Sequence, residues 1–489
     1  MCMLKPVLVS LFCHLNAVSR AENLRSQLNS EEIHAVFPGD CSFTEASAAY
    51  NRRITVKPAA ITFPINVLQV AHIVKTAAAG NYRVVAKSGG HSYTANGLGG
   101  TDGAIVVDLR NMTKTQVFST GSADIETGNT LGNVAAALIK NSRAIPHGTC
   151  PYVGIGGHAG YGGYGFTSRM WGLTLDTILS MTVVLADGTI TTISEEANSD
   201  LFWAMRGAIG SYGIVTSFNI KTFPAPTSAT VFNYLWYLHP TQAAQAVSAF
   251  QEFAQTDIPK EFGPQFAITA GPTSGLVSLT LLGGWYGPAE KLDVILAPYL
   301  ADLPKPDSVN LVIGSYIESV EYLGARDSAP AHHFYRKSIV VPESSPFSGL
   351  ALNAFMTFAA NEGFRHKPDW RVLMGLYGGN NSAINAVPPN ATAFSRRNIL
   401  WTVQFSVDSS NPQVSLQSSD LVFLDNVVDS LVRNSPPDCD YGAYLNYIDD
   451  RQGNWKELYY GAKYADLMRI KQKYDPDNVF SFPMGVGCN

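Results

Sequence analysis

The stretch that decides the fold runs from His147 to Asp176, HGTCPYVGIGGHAGYGGYGFTSRMWGLTLD. Nine of its residues are glycine, a density that weakens helices and strands because glycine has the most backbone entropy to lose. Such a run persists where backbone must approach something closely or adopt positive φ. A solvated linker would not interleave Tyr152, Ile155, Tyr161, Tyr164, Phe166, Met170, Trp171 and Leu173 with those glycines. Gly160, Gly162 and Gly165 spell G-x-G-x-x-G, with Asp187 about twenty residues on. The context argues against a nicotinamide-binding Rossmann unit. The preceding PYVGIGGHA lacks the apolar run of a buried parallel strand. Asp187 lies in Ala-Asp-Gly-Thr between two β-rich runs, a hairpin signal.

Working outward, residues 84–100 read VVAKSGGHSYTANGLGG. Small residues after a short β run make a nest of backbone N–H groups suited to pyrophosphate oxygens. A histidine inside that nest has a role the phosphates do not require. KSGGHSY followed by HGTCPxVGxxGH resembles the berberine-bridge-enzyme-like branch of the PCMH-type flavoproteins, the vanillyl-alcohol-oxidase superfamily. Within it, the chain is most similar in look to fungal gluco- and chito-oligosaccharide oxidases. The resemblance runs from about residue 55 to the end, and it implies FAD bonded twice, through His91 to the 8α-methyl and through Cys150 to C6 of the isoalloxazine. It also implies cofactor contacts at Lys87, Ser88, Gly89, Gly90 and Ser92, at Gly154, Gly157 and His158, and at Gly210, Gly213, Val215 and Asn446. Imidazole and thiolate are nucleophiles able to add to an electron-poor ring, and two bonds would fix the ring's orientation against substrate. Read alone, Cys150 is equally a buried structural cysteine or half a disulfide, and His91 a loop-capping histidine.

At 489 residues the chain is too long for one ordinary core. Its formal charge is −5 with no block of basic residues, so a nucleic-acid partner has no electrostatic footprint. No apolar run reaches membrane-span length, and a monomer is expected. Residues 1–19 read as a secretory signal: Lys5, an apolar run from Pro6 to Leu15, then Ala17-Val18-Ser19 as a small-x-small site. An N-terminal helix packed on the domain is the alternative. Secretion would permit disulfides, yet with Cys2 and Cys13 removed by cleavage and Cys150 holding flavin, only Cys41, Cys439 and Cys488 remain, enough for one bridge. Asn111, Asn380 and Asn390 open glycosylation sequons.

The expected fold class is α+β with two domains: a PCMH-type FAD-binding domain over 55–226, an antiparallel-sheet substrate domain over 227–435, and a C-terminal berberine-bridge-type segment, 436–489, that returns to the FAD domain. The Pro-rich FPAPTS at 223–228 marks the first boundary. NVLQVAHIVKTAAAGN predicts an amphipathic helix ending at Gly80, and Thr130 a helix N-cap. ILSMTVVLADG and TITTIS predict a hairpin, the runs beyond residue 228 alternate as strands, and ELYYGAKYADLMRIKQKYD has helical spacing. No cluster of Cys, His and carboxylate has metal-ligand spacing.

Alcohol oxidation by flavin needs a base in reach of the hydroxyl proton. The resemblance places it at Tyr447, in Asn446-Tyr447-Ile448-Asp449, and places Tyr93, Thr149 and Gln404 against substrate. A free phenol, with pKa near ~10, is a poor base at neutral pH, so it must be assisted or lose its proton in concert with hydride departure. Sugar-oxidising relatives carry an acid beside this tyrosine; here the aligned position, shortly before Gly378-Gly379-Asn380-Asn381-Ser382, is Gly375. The resemblance therefore implies a secreted oxidase taking a hydride from an oligosaccharide C1 hydroxyl, giving a lactone, with O₂ as acceptor and H₂O₂ released. Two alternatives stand beside it: an FAD-linked oxidase of secondary metabolism acting at a benzylic or allylic carbon or closing a ring, and a non-redox flavin-binding scaffold.

Overall fold

The computed structural model describes residues 22–326 and 330–488, so the expected signal segment lies outside the described residues. Three short pairings, two of them parallel, build the first sheet, in the order Ala35–Val36, Ala60–Thr62, Ile105–Asp108 and Val84–Lys87, with only Ala35–Val36 antiparallel to its neighbour. The helix Val67–Ala79 covers it, burying Val70, Ile73, Val74 and Ala77 on one face. Asn66 accepts the Gln69 N–H and caps its start, and Gly80 ends it as expected. A second sheet of five strands has the order Thr115–Val117, Ser122–Glu126, Ile214–Lys221, Ile178–Val184 and Ile190–Ser194. Its last two strands are the expected hairpin, with Asp187 accepting the Thr189 N–H at the turn.

The largest sheet has seven strands, ordered Ser308–Gly314, Ala229–Leu238, Val277–Trp285, Phe262–Ala270, Asp369–Leu376, Ile399–Asp408 and Phe334–Pro342, with every pairing antiparallel. Its residues alternate between two faces. Phe266, Ile268, Val372, Met374, Val403 and Phe405 pack under the helices Pro240–Ala254, Gly349–Arg365 and Ser418–Val432. The residues between them, Gln265, Ala267, Arg371, Leu373 and Gln404, face a cavity instead. This alternation makes one face of the sheet a core and the other a cavity wall.

After Tyr441 the chain leaves this sheet and rejoins the five-stranded one, where Tyr444, Tyr460, Leu467 and Ile470 share a core with Ile125, Met181, Phe202 and Phe218. Lys471 and Asp475 pin that return: they pair at 2.5 Å with both side chains buried, Lys471 donating to Ser211 and Phe480 carbonyls and Asp475 accepting the Val479 and Phe480 N–H groups.

Two local expectations need correction. The helix expected across ELYYGAKYADLMRIKQKYD begins only at Tyr464, because Gly461 adopts φ +54° and turns the preceding Lys456–Tyr460 stretch into a single wide turn. Thr130 precedes the helix Leu131–Ile139 in extended conformation, but its side chain makes no capping hydrogen bond.

Candidate active site

The two signature loops meet back to back. A Cβ on Gly89 would lie 2.3 Å from the Gly154 nitrogen, and one on Gly154 would lie 2.0 Å from the Gly89 nitrogen. Only glycine at both places allows that approach. Ser88 stitches the contact, donating to the Thr127 carbonyl at 2.5 Å and accepting the Gly156 N–H at 3.2 Å. Further along, Gly163 sits at φ +92° with Thr174 where its Cβ would be, which explains part of the glycine density.

Between the loops and the seven-stranded sheet lies a cavity of about 1280 Å³. It is lined by His91, Cys150, Tyr93, Thr149, Gln404 and Tyr447, and by Lys87, Ser88, Gly89, Gly90, Ser92, Gly154, Gly157, His158, Gly210, Gly213, Val215 and Asn446. Every residue singled out in the sequence as a site candidate therefore borders one space. Their side chains differ in what they are free to do. Lys87 is paired with Asp108 at 3.1 Å. Asn446 donates to the His158 carbonyl and the Tyr444 hydroxyl, both at 3.0 Å. His158 accepts the Gly148 N–H at 3.1 Å, bracing the turn that carries Thr149 and Cys150. Burial, aided by His147, pushes His158 down to about 3, which keeps the ring neutral for that bond. Burial likewise takes His91 down to about 4, a neutral imidazole at physiological pH.

The donor set fits FAD. Backbone N–H groups of two glycine-bearing loops, a cavity deep enough to take an extended ligand, and open space at Gly157 where a side chain would intrude make a cradle for a dinucleotide. A neutral imidazole and a thiol border the same space. The four described cysteines, Cys41, Cys150, Cys439 and Cys488, form no disulfide.

Tyr447 ends the short turn Leu445–Tyr447. Its ring is 4.9 Å from Tyr444 edge-on and lies parallel to Tyr93, with centroids 6.3 Å apart. Gln404 donates to the Tyr93 hydroxyl at 2.9 Å. Tyr444 is fixed from three directions: its hydroxyl accepts N–H groups of Gly163 and Tyr164 as well as the Asn446 amide.

Sequence reasoning missed three features. A Cβ on Gly375 would lie 2.6 Å from the Tyr164 hydroxyl oxygen and 2.7 Å from its ring, so the phenol fills the space that any side chain at 375 would take. Tyr164 donates to the Leu376 carbonyl at 3.2 Å. Arg336, Asp408 and His332 form a charged cluster in the cavity wall, Arg336 forking onto Asp408 at 2.6 and 3.0 Å and His332 meeting it at 2.7 Å. Burial opposes ionisation of Asp408, but Arg336 and His332 prevail and hold it at about 2. Tyr50, ahead of every motif, stacks on His91. Nothing local in the sequence signalled the cluster or the stacking on His91, since both join residues distant along the chain.

Comparison with known proteins agrees with this geometry. The FAD binding domain family matches residues 58–194, and the berberine and berberine-like family matches residues 443–487. An FAD-linked oxidoreductase, dpmaF, of Metarhizium anisopliae is 34% identical over 95% of this chain and 91% of its own. A chitooligosaccharide oxidase of Gibberella zeae is 33% identical over 98% of both. Among solved structures, the glucooligosaccharide oxidase of Acremonium strictum, described as carrying a 6-S-cysteinyl, 8α-N1-histidyl FAD, superposes with a TM-score of 0.85 at 30% identity, over 95% of this chain and 98% of that one. Among the described residues, no helix is long and apolar enough to cross a membrane.

Proposed function

Because the chain belongs to the FAD-dependent oxidoreductases with a berberine-bridge-type C-terminal segment, we propose that it is a secreted oligosaccharide oxidase whose FAD is bonded to both His91 and Cys150. The observation that carries the reading is the convergence of His91, Cys150, Tyr447, Tyr93 and Gln404 on one cavity. When bound, FAD supplies a hydride acceptor at N5 that O₂ restores, releasing H₂O₂.

Tyr447 takes the C1 hydroxyl proton at its phenolic oxygen. Tyr93, tied to Gln404, gives the sugar ring an aromatic wall, and Gln404 and Thr149 add polar contacts near it. Tyr444 holds Tyr447 against the loop that carries Gly163 and Tyr164, so the base's orientation is set before substrate arrives. The neutral His91 and the Cys150 thiol would hold the cofactor at two positions of its benzenoid ring, the 8α-methyl and C6, and so fix the isoalloxazine in the cavity. Oxidation at C1 gives the lactone.

The test is a panel of gluco-, chito- and xylo-oligosaccharides scored for peroxide release, with acid precipitation of the same protein. The reading expects a yellow pellet and turnover of at least one sugar; a colourless pellet removes the covalent claim, and an inert panel removes the sugar. Tyr164 over Gly375 favours a second reading. With an aromatic ring where relatives place an acid, the site suits an apolar alcohol, as in an FAD-linked oxidase of secondary metabolism. Peroxide from a benzylic or allylic alcohol, and none from sugars, selects that reading.

A further inference from the structure

Tyr50 lies before the first signature loop and belongs to no motif. Its ring stacks on the His91 imidazole with centroids 3.9 Å apart and planes inclined by 23°. Beyond it stand Phe334 at 5.5 Å and His332, edge-on, at 6.3 Å. Tyr50 is thus wedged between the flavin loop and one edge of the substrate sheet.

The neighbouring residue fixes that wedge. Asn51 is 1% exposed; its amide donates to the Tyr93 carbonyl at 2.8 Å, and its oxygen accepts the Arg53 N–H at 3.1 Å and the Phe334 N–H at 3.4 Å. Arg52 donates its N–H to the His332 carbonyl at 2.9 Å. His332 is itself held at both ring nitrogens, by the Pro330 carbonyl at 2.8 Å and Asp408 at 2.7 Å. Both neighbours of Tyr50 are therefore locked, one through Asn51 and the other through the Arg336–Asp408 pair.

We propose that Tyr50 is a positioning residue for flavin attachment, presenting the His91 imidazole in a fixed plane to the 8α-carbon of the flavin. This rests on His91 being an attachment residue. His91 follows Gly89 and Gly90, the latter at φ +73°, a backbone that leaves a side chain little support of its own. A stacked ring removes the imidazole's freedom to turn, and a small misplacement of a reacting atom is costly in rate. In the step itself, a ring nitrogen of His91 bonds to the 8α-carbon and one C–H bond of that methyl breaks. One proton leaves the methyl and one the imidazole, and the electron pair passes to the isoalloxazine, reducing it. Dioxygen takes the pair and leaves as hydrogen peroxide. While the imidazole carries positive charge in this step, the electron-rich face of Tyr50 steadies it.

The experiment is peptide mass spectrometry of purified holoenzymes, reading the flavin mass on the His91 peptide and on the Cys150 peptide separately. Tyr50→Phe keeps the ring and is expected to match wild type at both. Tyr50→Leu is expected to lower His91 modification roughly tenfold while Cys150 stays modified, which shows the variant folded and loaded. Equal His91 modification in Tyr50→Leu and wild type overturns the proposal alone. An unmodified His91 in wild type overturns the attachment reading and this proposal with it. Should Tyr50→Leu bind no FAD, Phe334→Leu decides: it removes the ring behind Tyr50, so His91 modification falls while Cys150 modification persists, and unchanged His91 modification overturns the proposal.

Discussion

At the scale of single residues, the proposed base, Tyr447, borders the cavity among other phenols, Tyr93 and Tyr444. Replacing it with phenylalanine removes the proton acceptor and keeps the ring that packs on Tyr444. Anaerobic stopped-flow reduction of the Tyr447→Phe flavin is expected to slow by roughly 10²–10⁴-fold with cofactor content unchanged; reduction at the wild-type rate would assign the base elsewhere. Gly375 makes a second residue-scale prediction. Because Tyr164 occupies the space over it, Gly375→Asp alone is overpacked and is expected to lose about 1–3 kcal/mol. Adding Tyr164→Ala makes room but removes a buried ring at a cost of its own of about 3–5 kcal/mol, so in denaturant unfolding the double variant is expected to lose less than the sum of the two single losses. If the two substitutions are additive instead, the phenol is not what excludes a side chain at 375.

At the scale of elements, the flavin cradle depends on two loops touching through backbone. Gly154→Ala places a methyl 2.0 Å from the Gly89 nitrogen and 2.2 Å from the Ser88 hydroxyl, so one loop must retreat. The expected outcome is purified protein with a low flavin-to-protein absorbance ratio, whereas Gly157→Ala, with nothing of the protein within 4 Å, folds normally and loses flavin only through steric intrusion into the cavity. A comparable joint is Arg169, buried in the helix Ser168–Trp171 and donating to the carbonyls of Pro259, Phe262, Gly378 and Asn380. Burial lowers it to about 10, and it stays charged at neutral pH. Arg169→Met leaves four carbonyls without that donor and is expected to cost about 3 kcal/mol or more, read as a lower midpoint in urea.

At the scale of the whole molecule, the seven-stranded sheet and the two glycine-bearing loops are held together by long-range polar clusters as well as by core packing. Asp408 gives one of these a pH signature. Its folded pKa, about 2, lies below the ordinary 3.8, so the stability it contributes is present above the ordinary value and is lost as pH falls from about 4 toward 2. That loss is on the order of 2 kcal/mol. Asp408→Asn should flatten this acid limb while costing roughly 3–5 kcal/mol at neutral pH, because Arg336 is left buried without its partner. Guanidinium unfolding of both proteins at pH 6, 4 and 3 checks it; an unchanged acid limb in the variant assigns the acid sensitivity to other carboxylates.

The sequence by itself determined the local chemistry of this protein. Glycine spacing around His91 and Cys150, alternation in the strands beyond residue 228, and the Asn446-Tyr447 pair were readable because each depends on neighbours along the chain. The helix before Gly80 and the hairpin at Asp187 were readable for the same reason. Only the tertiary structure decided how those pieces face one another. Tyr164 meets the carbonyl of Leu376 across 212 residues, and Asn51 meets the Phe334 backbone across 283. Such contacts leave no period or spacing in the sequence, because they are fixed by which sheet face turns inward and by the C-terminal segment's return to the core of the five-stranded sheet. The glycine at 375 was visible in the sequence, but the Tyr164 ring packed over it was visible only once the two stretches of chain were folded together.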